Sequence, residues 1–199
     1  MPPKSSPTIL AFDTSAAHCA AALLLNGTVH TRVEDMARGQ GERLVVLLED
    51  ILGEHGVAWA DLDAIGVGVG PGNVTGIRIS VSAARGISLG LGKPAIGVSM
   101  FETTSRLAPW AQTAVPAPRG QIYYFDPDKM REPILTAEDM PTTSHARSDA
   151  FETAAHIGAM VEIAAEKLAR GSDMARPAPL YVKPPDAAPS REKPPVILP

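Results

Sequence analysis

The sequence predicts an α/β protein of two lobes, the second reduced, and three observations carry that prediction. Apolar strand-like segments alternate with one-sided helical segments through the first hundred residues. Glycine turns separate them. Most of the 19 prolines fall after Pro109, where regular patterning becomes sparse.

In chain order, Thr8 to Phe12 reads as a buried strand that delivers Asp13-Thr14-Ser15 into a turn. Cys19 to Leu25 is a second strand. Asn26-Gly27 supplies the two positive-φ positions of a tight hairpin, and Thr28 to Glu34 returns alongside it. Leu44, Val45, Leu47, Leu48, Ile51 and Leu52 recur at the spacing of one helix face, and Gly53 and Gly56 are placed to end that helix. Asp61 to Asp63 lead into an apolar strand, Ala64 to Val69. It empties into the turn Gly70-Pro71-Gly72-Asn73-Val74-Thr75-Gly76. Ile77 to Leu91 is a second helix, ended by Gly92-Lys93-Pro94, and Ala95 to Met100 is a further strand.

This βββαβαβ order is that of one lobe of the actin, sugar-kinase and Hsp70 superfamily, an actin-like ATPase (ASKHA) fold of ribonuclease H-like type. The second half offers a helix at Phe101 to Leu107, a strand at Gln121 to Phe125 and a helix from Ser148 to Arg170. That last helix carries Ala154, Ile157, Val161, Ala165 and Leu168 on one face and Gly171 behind it. From Pro177 onward the prolines leave room for a short strand at Leu180 to Val182, then an extended, disordered tail. The predicted division is a first lobe at 1–102, a smaller second lobe at 103–183 and a Pro-rich tail at 184–199.

Composition narrows function. A chain that is 45% apolar and 20% charged buries a real core. The longest apolar run near the N-terminus, Ala20 to Leu25, is too short to span a bilayer, so a soluble, cytoplasmic protein is expected. A formal net charge of -4 argues against gripping nucleic acid unaided. The single cysteine, Cys19, excludes an internal disulfide and a multi-cysteine zinc site. His18, His30, His55, His145 and His156 contain no pair three or four apart, so no helix presents two imidazoles to one metal. Glu162 and Glu166, beside Lys167, read as a solvated helix face.

Two segments could carry chemistry. Asp13-Thr14-Ser15, at a strand end, has the residue types of a first phosphate loop, in which a carboxylate holds a metal's water shell and hydroxyls approach phosphate. The same residues commonly satisfy the amides of a turn, and the glycine usual between acid and hydroxyl is absent. Gly70 to Gly76, which includes Gly72, opens a helix whose first amides could meet an anion. It lacks the Lys-Ser/Thr of a Walker loop and equally suits a tight crossover. Asp13, Thr14, Ser15 and Gly72 are therefore weak nucleotide candidates.

The second helix points to contacts. Ile77, Val81, Ala84, Ser88 and Leu91 share one face, and Gly76, Ser80, Ala83, Gly86 and Gly90 line an adjacent one. Each glycine costs a helix roughly 1 kcal/mol relative to alanine. Either both faces are used within the lobe, or the small-residue face receives a second helix from outside.

Ile9 to Ser15, Cys19 to Leu23, Arg43 to Leu52, Ala84 to Leu91, Ile96 to Ser99 and above all Gly70-Pro71-Gly72-Asn73-Val74-Thr75-Gly76-Ile77-Arg78-Ile79 resemble the TsaB family, also called YeaZ. The last stretch resembles that family's GPGSFTGxRI signature. Weaker echoes occur at Arg119 to Tyr123 and Pro179 to Val182. The chain departs from the pattern at Asn73-Val74, where Ser-Phe is usual, at Gln40, where a His is usual, and at Pro116 to Arg119, where an Asp-Ala-Arg motif has lost its acid.

The resemblance implies a non-catalytic scaffold subunit that requires no cofactor. It would bind a TsaD-like protein, which transfers threonylcarbamoyl to adenosine of tRNA, with a TsaE-like ATPase joining the larger complex. Contact with tRNA would come only through that complex, and a homodimer could form when the partner is absent. Leu44, Leu48, Gly76, Ser80, Ala83 and Ile87 are the residues expected to form or support the interface. The rival reading is an independent actin-fold ATPase or phosphotransferase using Asp13, Thr14 and the Gly70 to Gly76 turn.

Overall fold

The computed structural model describes residues 6–108, 112–137, 145–171 and 175–182. Strands β1 (Ile9–Asp13), β2 (His18–Leu25) and β3 (Thr28–Asp35) form the predicted antiparallel meander. Asn26 and Gly27, at φ 51° and 80°, make the β2–β3 turn. Helix α1 (Gln40–Glu54), strand β4 (Ala64–Gly68), helix α2 (Val74–Leu91) and strand β5 (Ala95–Val98) follow. The order across the sheet is β3-β2-β1-β4-β5, with β4 and β5 parallel to β1.

Helix ends depart from the predicted limits for identifiable reasons. Helix α2 begins at Val74 rather than Ile77 because the Asn73 side chain accepts hydrogen bonds from the Thr75 and Gly76 amides, at 2.9 and 3.2 Å. Strand β5 stops at Val98 because Ser99 caps helix α3 (Met100–Leu107) in a reciprocal box with Glu102. The helix predicted from Ser148 starts only at Thr153, as α4 (Thr153–Arg170), after a short 3₁₀ turn at Ser148–Ala150.

The first sheet is covered on both sides, and strict alternation along its strands decides which residue faces which helix. Leu10, Phe12, Ala21 and Leu23 pack under α1 and α2 with Leu44, Leu47, Leu48 and Ile51. Ile9, Ala11, Ala20 and Ala22 face α4, where Ile157, Met160, Val161 and Ala164 meet them. All five residues of β1 are buried, as expected of a strand sandwiched between helical layers. Alanines let α4 lie close: a Cβ added to Gly66 would meet the Cβ atoms of Ala11 and Ala164 at 2.8 and 3.2 Å.

A second sheet has four strands: β6 (Thr113–Ala117), β7 (Gln121–Phe125), β8 (Ile134–Ala137) and β9 (Ala146–Arg147), in the order β8-β7-β6-β9. It repeats the first sheet's plan: an antiparallel meander with a further strand parallel to its first member. Sequence patterning misses β6, β8 and β9. Strand β6 contains Pro116, which is tolerated because β9 pairs only with Thr113 and Ala114.

The strand predicted at Leu180 to Val182 is not formed; that segment makes one ladder-like bond, from Leu180 N to Val69 O at 2.8 Å. The tail at 184–199 lies outside the described residues. Among the described residues no helix is long and apolar enough to cross a membrane.

Candidate functional site

At the C-terminal end of β1 the chain turns sharply, and Asp13 organises the corner. Its Oδ2 accepts hydrogen bonds from the Ser15 amide at 3.0 Å, the Ser15 hydroxyl at 2.8 Å and His18 Nε2 at 2.9 Å. Its Oδ1 is buried against Gly68, where a Cβ would overlap it. The Thr14 hydroxyl donates to the Gly76 carbonyl at 2.7 Å. Asp13, Thr14, Ser15 and His18 are all buried.

The glycine turn is pressed onto this corner. The Asn73 amide donates to the Ser15 carbonyl at 2.7 Å, a Cβ on Gly72 would lie 2.5 Å from that same oxygen, and one on Gly76 would overlap the Thr14 carbonyl oxygen. Gly72 and Gly76 are thus required for two backbones to touch. The Mg-nucleotide implied by an actin-like fold does not fit these residues. The hydroxyls of Thr14 and Ser15 are spent inside the chain, Asp13 Oδ2 already has three donors, and Asn73 occupies two amides of the α2 N-terminus.

Beside this corner, between the two sheets, lies a cleft of about 550 Å3. Asp13, Ser15 and His18 line it from the first sheet, Val115 and Tyr123 from the second, and His156 from α4. His156 Nε2 donates to the Ser148 carbonyl at 2.8 Å, so Nδ1 of the neutral ring accepts from the Thr103 hydroxyl at 2.9 Å. This imidazole ties α4 to α3 and to the 3₁₀ turn after β9, and burial pushes its pKa below the ordinary histidine value. Asp149, also on the cleft, is gripped by Arg147 through both carboxylate oxygens, which lowers its pKa. Burial pushes the Cys19 thiol up to about 11, leaving it an inert core group.

Tertiary structure also makes pairs that spacing did not reveal. His30 of β3 and His55, just after α1, pack with ring centroids 4.0 Å apart and planes tilted by 50°. Glu166 and Lys167, read from sequence as a solvated face, instead join α4 to α3: Arg106 meets Glu166 at 2.6 Å, and Lys167 meets Glu102 at 2.7 Å.

The six residues expected at an interface divide by burial. Leu44 and Leu48 are core residues, and Gly76 and Ser80 are also buried; the Ser80 hydroxyl lies within 3.3 Å of the carbonyls of Gly68, Gly76 and Ile77. Ala83 and Ile87 are half-buried at the margin of the same core. The exposed apolar groups lie elsewhere on these two helices: Leu89 is 79% exposed, Val45 48% and Val46 46%. Gly86 and Gly90 are exposed, and a Cβ on either would meet nothing within 4 Å. Patterning had grouped Val45 with the buried residues of α1; its neighbours face the sheet while it remains open.

Against this geometry stand the known proteins the chain resembles. The family model described as TsaD: tRNA N6-adenosine threonylcarbamoyltransferase matches residues 29–184. The tRNA threonylcarbamoyladenosine biosynthesis protein TsaB of Escherichia coli (strain K12) is 33% identical over 138 residues, 66% of this chain and 59% of that protein. A tRNA N6-adenosine threonylcarbamoyltransferase of Erythrobacter litoralis is 34% identical over 152 residues, 70% of this chain and 43% of that protein. The matches thus span less than two thirds of either relative's length. The solved structure of YeaZ from Pseudomonas aeruginosa superposes with a TM-score of 0.71 at 25% identity, covering 88% of this chain and 99% of that one.

Two sheets in a mixed α/β chain, matched over most of its length, define a member of the family described by the TsaD model. Within it, the chain belongs to the TsaB, or YeaZ, family.

Proposed function

We propose that this chain is the non-catalytic subunit of a cytoplasmic complex that installs threonylcarbamoyladenosine on tRNA, and that it acts by docking a TsaD-like transferase on the exposed face of α1 and α2. The observation that carries this reading is that face itself. Val45 and Val46 on α1 and Leu89 on α2 are open to solvent, and a Cβ on the α2 glycines Gly86 and Gly90 would meet nothing within 4 Å. Exposed mid-helix glycine is destabilising by roughly 1 kcal/mol relative to alanine. Close approach of a partner helix offsets that cost. Ala83 and Ile87 form the inner margin of the contact, while Leu44, Leu48, Gly76 and Ser80 hold it from beneath.

The repeated strand order supports a two-lobed actin-like reading, with sheet one at 1–102, a reduced second lobe at 103–183 and α4 returning to cover the first sheet. The bonds of Ser15 and His18 to Asp13 Oδ2, and of the Thr14 hydroxyl to the Gly76 carbonyl, support a structural rather than phosphoryl-transfer role for that corner. A TsaE-like ATPase completes the larger assembly, tRNA is engaged through it, and the same face pairs two copies when TsaD is absent.

Reconstitution tests the proposal. Threonylcarbamoyl transfer to tRNA is measured with the TsaD-like protein alone, this chain alone, and both. The chain alone is expected to be inert and its addition to switch transfer on; an Ala83→Glu variant, folded but unable to co-purify with the partner, should fail to do so. Equal transfer without the chain, together with phosphate release from ATP by the chain itself, would overturn it.

A further inference from the structure

At the C-terminal end of α2 the chain opens a groove of about 390 Å3 lined by Arg85, Lys93 and Arg176, and no carboxylate lines it among the described residues. These three converge on one groove, which the other described basic side chains without an acidic partner, Arg38, Arg78, Arg119 and Arg131, do not line. Arg32, Arg43, Arg106, Lys129, Arg147, Lys167 and Arg170 each meet an acidic group within 4.0 Å. Arg85 spends only its Nε, on the Pro177 carbonyl at 2.7 Å, which also fixes the strand-like segment bearing Arg176. Lys93 is anchored by its backbone, its amide donating to the Ser88 carbonyl at 3.2 Å and its carbonyl accepting from the Ser88 hydroxyl at 2.6 Å.

The helix macrodipole explains part of this clustering, because a helix C-terminus carries roughly half a negative charge. Three cations exceed it. On a protein of net charge -4 the groove is a local region of positive potential that lowers its energy by taking anions.

We propose that this groove binds phosphates of an RNA backbone. The assignment rests on the tRNA-modification reading above and names where this chain itself would touch the RNA. Two guanidinium forks and an ammonium suit phosphate oxygens. No aromatic side chain lines the groove among the described residues, so nothing there stacks a base, and the contact is to backbone rather than to a nucleotide. Leu89 is the one large aliphatic side chain among those lining it, too little to anchor a peptide. Attraction confined to one groove of an acidic protein makes the binding weak in the isolated chain and cumulative in a complex.

The test is fluorescence anisotropy of the full chain with a labelled RNA duplex of arbitrary sequence at low salt. Wild type is expected to bind, with affinity falling as salt rises. Lys93→Glu with Arg176→Glu, both away from the core, should weaken binding at least about tenfold. It should also lower the slope of log affinity against log salt by ~1.8, at ~0.9 per phosphate contact for a duplex. No binding by wild type, or equal binding by the double variant, overturns the proposal. So does tighter binding of ADP than of pyrophosphate, which would reveal a base pocket, or displacement of RNA by polyglutamate at lower concentration than by RNA itself. The transfer assay separates the two readings: wild type that binds RNA through these residues yet does nothing for transfer leaves the groove standing and removes the function proposed above.

Discussion

Helix α2 carries glycine towards both of its ends, and the two ends teach different things. At the N-terminal end, Gly76 lies against the Thr14 backbone so closely that any side chain would overlap its carbonyl oxygen. Towards the C-terminal end, a Cβ on Gly86 or Gly90 would meet nothing within 4 Å among the described residues. The same residue type is therefore dictated by internal packing at one end of the helix. Farther along it is a cost that the isolated chain does nothing to offset.

The largest expected effect breaks the inner contact. Gly76→Val should push the α2 N-terminus off the Asp13 corner and cost ~3 kcal/mol or more, read as a lower urea midpoint. Unchanged stability would mean that the two backbones do not touch.

The next contrast compares buried and open positions on α1. Leu48→Ala, beneath the face, should cost ~3 kcal/mol, whereas Val46→Ala, on it, should stay within ~0.5 kcal/mol in the same urea titration. Similar losses at both positions would erase the distinction between support and surface.

Asn73→Ala removes the cap that starts α2, with an expected loss of ~1 kcal/mol, while Asn73→Asp should retain most of the stability. Gly86→Ala gives the smallest effect and the opposite sign: thermal unfolding of the isolated chain should rise, by up to ~1 kcal/mol of added stability, because the new methyl enters open space. Its affinity for the TsaD-like partner proposed above should fall. A stabilised variant that binds the partner normally would detach these glycines from the interface.

Much of the first sheet was legible because its signals are local. Alternating burial, the Asn26-Gly27 turn and the α1 stripe each depend on neighbours within a few residues, and β1 to β5 lie within two residues of their predicted limits. The second sheet was largely illegible. Strand β9 is two residues long and β6 contains a proline, so neither offers a periodic stretch from which pairing could be read. Asp13 and Gly72 were picked out as candidates by residue type, but their partners were not. The bond from His18 to Asp13 depends on the shape of the β1–β2 corner, and that from Thr14 across 62 residues to Gly76 on two turns meeting in space.

The sequence by itself determined the elements of the first sheet, their order, and the presence of a tight glycine crossover, since these follow from hydrophobic period and backbone preference alone. Only the tertiary structure decided which small residues are filled contacts and which are open, that α4 returns to cover the first sheet, and that Arg85, Lys93 and Arg176 share one groove. The physical reason is one of range. Propensity and periodicity act along a few residues of chain, whereas burial, charge convergence and close approach are properties of distance between segments that the linear order leaves far apart.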